Sequence, residues 1–284
     1  MKPKVIKDYI GVLKPRESGL LTFIGVCAAI IAGAGHPPLD RLLLAMIAIL
    51  LGSAGANGLT NYFDRDIDAR MQRTRRRALP SKRIEPPERV LALSICLVVI
   101  GLALALWLQP LCFLFGVVGT MASVVWRKRA TCVIPQGMLA SCAPVLVGWF
   151  AIKPAFGWEI LLLCTLIAVW LPLHVWSVMI ANREDYIGAG LTYFPMSRET
   201  REAVKVLLLF SLVLCAAAIT LYFIGGFTIL YLIVASLLSI AMLFASVRLV
   251  ISRASKDAWM LYKLSAFPYL GLIFLALCLD IWML

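Results

Sequence analysis

The sequence predicts an all-α fold, a polytopic membrane protein built as a single bundle of nine transmembrane helices. Three observations predict it. The 284 residues are 62% hydrophobic and only 15% charged, with a mean hydropathy of +0.93, beyond what a water-soluble core requires. Apolar runs repeatedly approach the roughly 20 residues a helix needs to cross a bilayer. Basic residues collect between alternate runs, as the positive-inside rule requires of loops on one side of a membrane.

The runs place nine spans at about 18–34, 39–63, 89–108, 110–126, 133–152, 158–181, 203–225, 227–249 and 262–283, one membrane-embedded domain over 1–284. Only Leu108, Gln109 and Pro110 part the third span from the fourth. Before the first span, Lys7–Arg16 is amphipathic enough to lie at the interface, and Pro15 suits a helix start or a kink. That first run lacks a small-residue cleavage site, so no cleavable signal peptide is expected. Gly and Ala in span 1 favour close helix packing in lipid. His36, between Gly35 and two prolines, reads as a turn residue. Spans 7 to 9 carry almost no polar side chains and read as scaffold.

Of the 27 Lys and Arg residues, 25 fall in the N-terminal arm and the loops after spans 2, 4, 6 and 8; Arg41 and Lys153 alone lie on the other side. The expectation is therefore a multi-pass protein with its N-terminus cytoplasmic and its C-terminus outside, in the plasma membrane of a prokaryote. The net charge of +12 belongs to loops facing anionic lipid and an anionic substrate, and gives no argument for nucleic acid. The eight cysteines fall singly in apolar runs, without the spacing of a zinc site or disulfide framework.

The polar density concentrates in Asn57–Arg77, at the end of span 2. At 100° per residue, Asn57, Asn61, Asp64 and Asp68 fall within about 60° of one another, and Asp66 lies nearly opposite Asp64. A stripe of amide and carboxylate oxygens suits a hard divalent cation, and Mg²⁺ is commonly held by one or two carboxylates plus substrate phosphates. Arginines at 70–77 follow in the loop, so acids for a metal stand beside cations for phosphate oxygens, as a diphosphate–Mg²⁺ complex requires. The plainer alternative is a charged cap whose Asp and Arg side chains pair with each other and with headgroups.

Asn61, Asp64 and Asp68, continued by Met71, Arg73, Thr74 and Arg77, resemble the first aspartate-rich motif of the UbiA superfamily of intramembrane prenyltransferases. The wider YFDRDIDARMQRTRRRALPSKRI at 62–84 resembles its protoheme IX farnesyltransferase (heme O synthase) branch. LKPRES at 13–18, WRKRA at 126–130, APVLVGW at 143–149 and LPLHVWSVMIANREDYIGAGLTYFPM at 171–196 are similar to further stretches of that branch, so the likeness covers most of the chain. Where many relatives carry D-x-x-x-D in the second motif, this chain has Asn182, Glu184, Asp185 and Tyr186, which resembles the branch's D-Y-x-x-A-G. Other departures are Ala78 in place of proline, Pro135 and Gln136 in a stretch expected to be glycine-rich, Ala143-Pro144-Val145 for a double proline, and Val125-Trp126 for a tyrosine.

The resemblance implies a helical bundle of nine helices around a cytoplasm-facing cavity and transfer of a farnesyl group from farnesyl diphosphate to a vinyl group of heme b, giving heme O. It implies Mg²⁺ held by Asn61, Asp64, Asp68 and Asp185 with Asn182 as neighbour, one or two ions being compatible with the set. Arg73, Arg77, Lys128 and Arg129 would hold diphosphate oxygens, with Arg70 and Arg127 behind them. An acid pair merely bound to loop arginines is the alternative for Glu184 and Asp185. His174, the one histidine inside a span, would contact heme, since imidazole ligates haem iron; it lies about 16 Å along a helix from Asp185. A histidine satisfied by an inter-helix hydrogen bond is the competing reading. Beyond the bilayer and the two substrates, the resemblance leaves room for a homo-oligomer or a heme-pathway partner protein. A related enzyme with an aromatic, chlorin or isoprenoid-glycerol phosphate acceptor would have no need of His174. A transporter would place its acids near the midplane on broken helices, and the CDP-alcohol phosphotransferase pattern is absent from the sequence.

Overall fold

The computed structural model describes residues 3–125 and 133–283, all helix and connecting loop with no strand among them. A short amphipathic helix α1 (Pro3–Val12) precedes α2 (Pro15–Ala32). The two part at Lys14, which takes a left-handed conformation, and Pro15 opens α2 where a missing N–H costs nothing. Then come α3 (Leu39–Arg70), α4 (Glu88–Leu108), α5 (Pro110–Val125) and α6 (Val133–Ile152). After α7 (Trp158–Ala181), the short α8 (Arg183–Gly188) leads to α9 (Thr200–Gly225) and α10 (Ile229–Ser252). The last span is α11 (Ser255–Leu264), a π-helical turn at Ser265–Gly271, and α12 (Leu272–Met283).

Seven helical segments among the described residues are long and apolar enough to cross a membrane, and Pro110–Val125 and Gly137–Ile152 are apolar but shorter. By length alone the bundle thus reaches seven of the nine expected spans. Gln109 divides α4 from α5 in extended conformation, and its side-chain oxygen accepts from the Leu111 N–H, so the narrow boundary in the sequence is a true break. The ninth span starts earlier than its apolar run suggests, at Ser255, and bends midway at Pro268 and the non-helical Ala266. The third helix also runs beyond its apolar stretch, carrying the acidic stripe to Arg70 in one continuous helix.

Neighbouring helices close a ring: α2, α3, α4, α5, α6, α7, α9 and α10 touch in turn, α10 touches α11 and α12, and α12 returns to α2. Across it, α2 packs directly on α6. A Cβ on Gly148 would lie 1.9 Å from the Gly25 carbonyl oxygen, so only glycine lets these backbones approach. Arg41 and Lys153, the two cations set apart from the basic loops, both lie at the C-terminal end of α6. Arg41 donates to the Ala151 carbonyl at 3.2 Å, and Lys153 lies over the Trp149 ring.

Candidate functional site

The α3 stripe takes the phase its spacing dictates. Asn61, Asp64 and Asp68 are buried, Asp68 to 1% exposure, while the Asp66 side chain remains 63% exposed. Three of the four stripe residues, Asn57, Asn61 and Asp64, line a cavity of about 490 Å³ inside the ring. Arg73 and Arg77 reach the same cavity from the loop after α3, and Lys14 and Glu17, 3.3 Å apart, reach it from the start of α2. Farther back along α3 the lining turns apolar at Gly52, Ile49 and Ala48, joined by Leu102, Gly116 and Val147. From Ile49 to Asp64 is about 22 Å of helix rise, so one cavity runs from a charged mouth into a hydrocarbon-lined interior.

The backbone around the stripe is tied down. Asn61 Nδ2 donates to the Val12 carbonyl at 2.6 Å, fixing the end of α1, and Asn57 Nδ2 donates to Ser18 Oγ. Thr74 Oγ1 donates to the Asp68 carbonyl, which folds the arginine loop back on the helix. Arg77 Nη1 meets Asp68 Oδ2 at 3.2 Å, so part of the pairing expected of a plain charged cap is present. Arg73 Nη2 donates to the Tyr186 hydroxyl at 3.2 Å.

Asp185 joins the two motif regions in a way its sequence did not announce. Its carboxylate oxygens accept the backbone N–H groups of Gln72 at 2.6 Å and Arg73 at 3.2 Å, anchoring the arginine loop to α8. Asn182 marks the break between α7 and α8, with Nδ2 donating to the Val178 carbonyl. Neither residue lines the cavity, and no group of three His, Cys, Asp or Glu side chains among the described residues converges as a ready cation cage. The structure therefore brings Asn61, Asp64, Arg73, Arg77 and His174 to one cavity, with Asp68 behind them and Asp185 on the loop. Arg127, Lys128 and Arg129 lie outside the described residues. Burial raises the Tyr193 phenol well above its usual range, with Tyr186 and Asp64 adding to the shift.

His174 lines the cavity from α7. Its Nδ1 is 2.9 Å from Ser265 Oγ on the π-helical turn, the inter-helix hydrogen bond of the competing reading. Its ring also lies between Trp170, with centroids 4.8 Å apart, and Tyr262, at 4.5 Å. Trp170, Tyr262, Lys14 and Glu17 were not among the residues the sequence nominated for the site. The i, i+4 spacing of Trp170 and His174 carried a signal, since it puts both on one helical face. Tyr262 carried none, because its partner lies 88 residues away in the chain.

The arrangement suits an amphiphilic anion: arginines and a lysine for phosphate oxygens, a buried acidic stripe for a hard cation, and apolar walls for a hydrocarbon chain. Residues 20–276 match the UbiA prenyltransferase family. A protoheme IX farnesyltransferase of Desulforudis audaxviator is 36% identical over 98% of this chain and 89% of its own length. One from Symbiobacterium thermophilum is 36% identical over 98% and 95%. Among solved structures, a digeranylgeranylglyceryl phosphate synthase superposes with a TM-score of 0.80 at 17% identity, covering 98% of this chain and 99% of its own. A UbiA homologue from Archaeoglobus fulgidus bound to GPP and Mg²⁺ gives 0.64 at 15% identity, over 98% and 100%.

Proposed function

Since this chain belongs to the UbiA prenyltransferase family and is an integral membrane prenyltransferase, we propose that it transfers a farnesyl group from farnesyl diphosphate to a vinyl group of protoheme IX, giving heme O. The observation that carries the reading is the continuous cavity, whose mouth holds Asp64, Arg73 and Arg77 and whose wall holds His174. The relatives named protoheme IX farnesyltransferase, which match nearly the whole chain, support the same acceptor.

The donor set fits Mg²⁺. Asn61 and Asp64 line the cavity and Asp68 follows one turn on, a set short of a complete cage and suited to an ion that draws its other ligands from phosphate and water. Asn61, Asp64 and Asp68 would hold it, with Asn182 and Asp185 contributing from the facing segment, since the amides on Asp185 leave lone pairs on its oxygens. Bound there, Mg²⁺ supplies charge neutralisation to the departing diphosphate.

Arg73 and Arg77 bind phosphate oxygens, exchanging their present partners Tyr186 and Asp68 for the substrate. Lys128 and Arg129 add to that anion site. As the allylic C–O bond breaks, its electron pair passes to the bridging oxygen and leaves a delocalised allylic cation. The apolar lining at Ile49, Leu102 and Val147 excludes water from that cation until the porphyrin vinyl carbon captures it. Water then adds to the resulting carbocation and loses a proton, completing a hydroxyethylfarnesyl side chain. His174 holds the acceptor. The chain works as one domain whose N-terminus and acidic loop are cytoplasmic and whose C-terminus lies outside, in keeping with 25 of 27 basic residues on one side.

The test is to supply the purified protein with heme b, Mg²⁺ and either farnesyl or geranylgeranyl diphosphate and to read the product mass. A heme-plus-farnesyl-plus-water product is expected. Prenyl transfer to another acceptor with none to heme would overturn the acceptor assignment.

A further inference from the structure

We infer that Ser265, carried by the π-helical turn between α11 and α12, is a positioning residue that sets the tautomer and ring plane of His174, so that its Nε2 lone pair ligates the iron of the porphyrin acceptor. The inference rests on heme being that acceptor.

The orientation of the Ser265 hydroxyl selects the tautomer. Ser265 Oγ has one proton, and the hydroxyl donates to the Tyr262 carbonyl at 2.9 Å, an oxygen that can only accept. With the hydroxyl turned to Tyr262, its Oγ accepts in the 2.9 Å contact with His174 Nδ1, which then carries the hydrogen; a hydroxyl turned to Nδ1 would give the other tautomer, so the orientation of Ser265 Oγ decides between the two. In a neutral imidazole this makes Nε2 the lone-pair nitrogen. A hydrogen-bonded Nδ1–H also raises the basicity of the other nitrogen, the arrangement common behind metal-bound histidines.

The ring plane is fixed from both faces. Trp170 stacks on His174 at 16° and Tyr262 at 26°. Trp170 is itself held, because its indole N–H donates to the Ser265 carbonyl. Ser265 thus uses its side chain on the histidine and its main chain on the lower plate. Tyr262 serves both as the upper plate and as the acceptor that orients the Ser265 hydroxyl.

Local backbone explains why the device sits here. Ala266 departs from helical geometry at ψ −133° and Pro268 can donate no backbone hydrogen bond, so the turn over Ser265–Gly271 is a kink between two helices. Sharp bends of this kind occur at prolines, where a spanning helix loses a main-chain hydrogen bond. A histidine that merely needed a partner would be served by any hydroxyl on a regular helix. This one lies in the wall of the cavity, stacked on both faces, and is served by a residue whose main chain fixes one of the stacking rings.

The experiment is a titration of the purified protein with ferric heme b, followed in the Soret region. Wild type should bind with a histidine-ligated spectrum. His174→Ala should lose that spectrum, and added free imidazole should restore it. Ser265→Ala, which keeps the packing volume of a fully buried site nearly unchanged, should weaken heme binding by about 10- to 100-fold, the range typical for loss of a partner behind a ligand. In a His174→Ala background the same Ser265→Ala change should weaken it no further. Equal losses in both backgrounds would mean a packing role and would overturn the inference alone, as would an unaltered spectrum in His174→Ala. Wild type that transfers a prenyl group but binds no heme would overturn the acceptor assignment and this inference with it.

Discussion

The two halves of the ring bury acids for opposite purposes. In α3, Asp64 and Asp68 are buried beside a cavity, next to arginines that can turn toward a ligand. In the α9–α12 half, Asp280 is wholly buried and caps the start of α10, accepting from the Thr228 N–H and hydroxyl and from the Tyr231 N–H at 3.2 Å. Asp257, also buried, is bound by Arg248 at 2.9 Å and by Ser252. An intramembrane acid is therefore no marker of a site by itself. What distinguishes the two is whether its surroundings are a helix end with fixed donors or an open cavity whose cations can exchange partners.

The comparison breaks most visibly at Asp64. Asp64→Ala should lower prenyl transfer by about 10²–10³-fold, the scale of losing one electrostatic stabiliser of a developing charge, while the protein keeps its melting temperature in detergent. Asp280→Ala should do the reverse. Leaving three donors without their acceptor inside the bundle should cost about 2–4 kcal/mol of stability, with the turnover of the folded fraction unchanged. A thermal melt and an activity assay on each variant decide the matter. Asp280→Ala losing activity at full stability would put a site in the half assigned here to scaffold.

That scaffold reading came from the sequence, and it was incomplete in an instructive way. Apolar runs and basic loops located the bundle, and helical phase alone separated Asp66 from Asp64 and Asp68. Asp280 was overlooked because one acid in LALCLDIWML leaves the run's hydropathy high, and its partners Thr228 and Tyr231 lie about fifty residues upstream. The loop-anchoring role of Asp185 was equally illegible, since the donors are backbone amides at 72 and 73 and no side-chain pattern encodes them. The Ser265 contact depends on a π-helical turn, which Pro268 hints at and only the fold completes.

Asp185 gives an intermediate effect with two separable parts. Asp185→Asn keeps an acceptor for one loop amide, turns an NH2 toward the other and removes the charge, so a fall of about tenfold with a raised Mg²⁺ requirement is expected if it also serves the cation. A raised KM for the diphosphate at unchanged Mg²⁺ dependence would confine it to anchoring Arg73. At the apolar end, a Cβ on Gly52 would meet nothing within 4 Å, and the residue lines the cavity. Gly52→Leu should therefore fold and shorten the space for the hydrocarbon chain. Farnesyl transfer should fall about tenfold relative to geranyl transfer, in line with the 1–3 kcal/mol that a methylene is worth in an apolar pocket. Competition between the two diphosphates measures it.

The smallest effect belongs to Asp66, and it tests the phase of the whole stripe. Asp66 stands two residues from both Asp64 and Asp68, so by sequence distance alone the three are equivalent. A helix turns 200° over two residues, which sends Asp66 to the outer face, where its side chain is 63% exposed and lies 4.0 Å from Arg65. An exposed pair of that kind contributes between nothing and about 1 kcal/mol. Asp66→Ala should leave prenyl transfer within about twofold of wild type and the melting temperature nearly unmoved. A loss approaching that of Asp64→Ala would mean that α3 is unwound or rotated near the acids in the working enzyme. The helix itself would then have to be redrawn along with the roles of its residues.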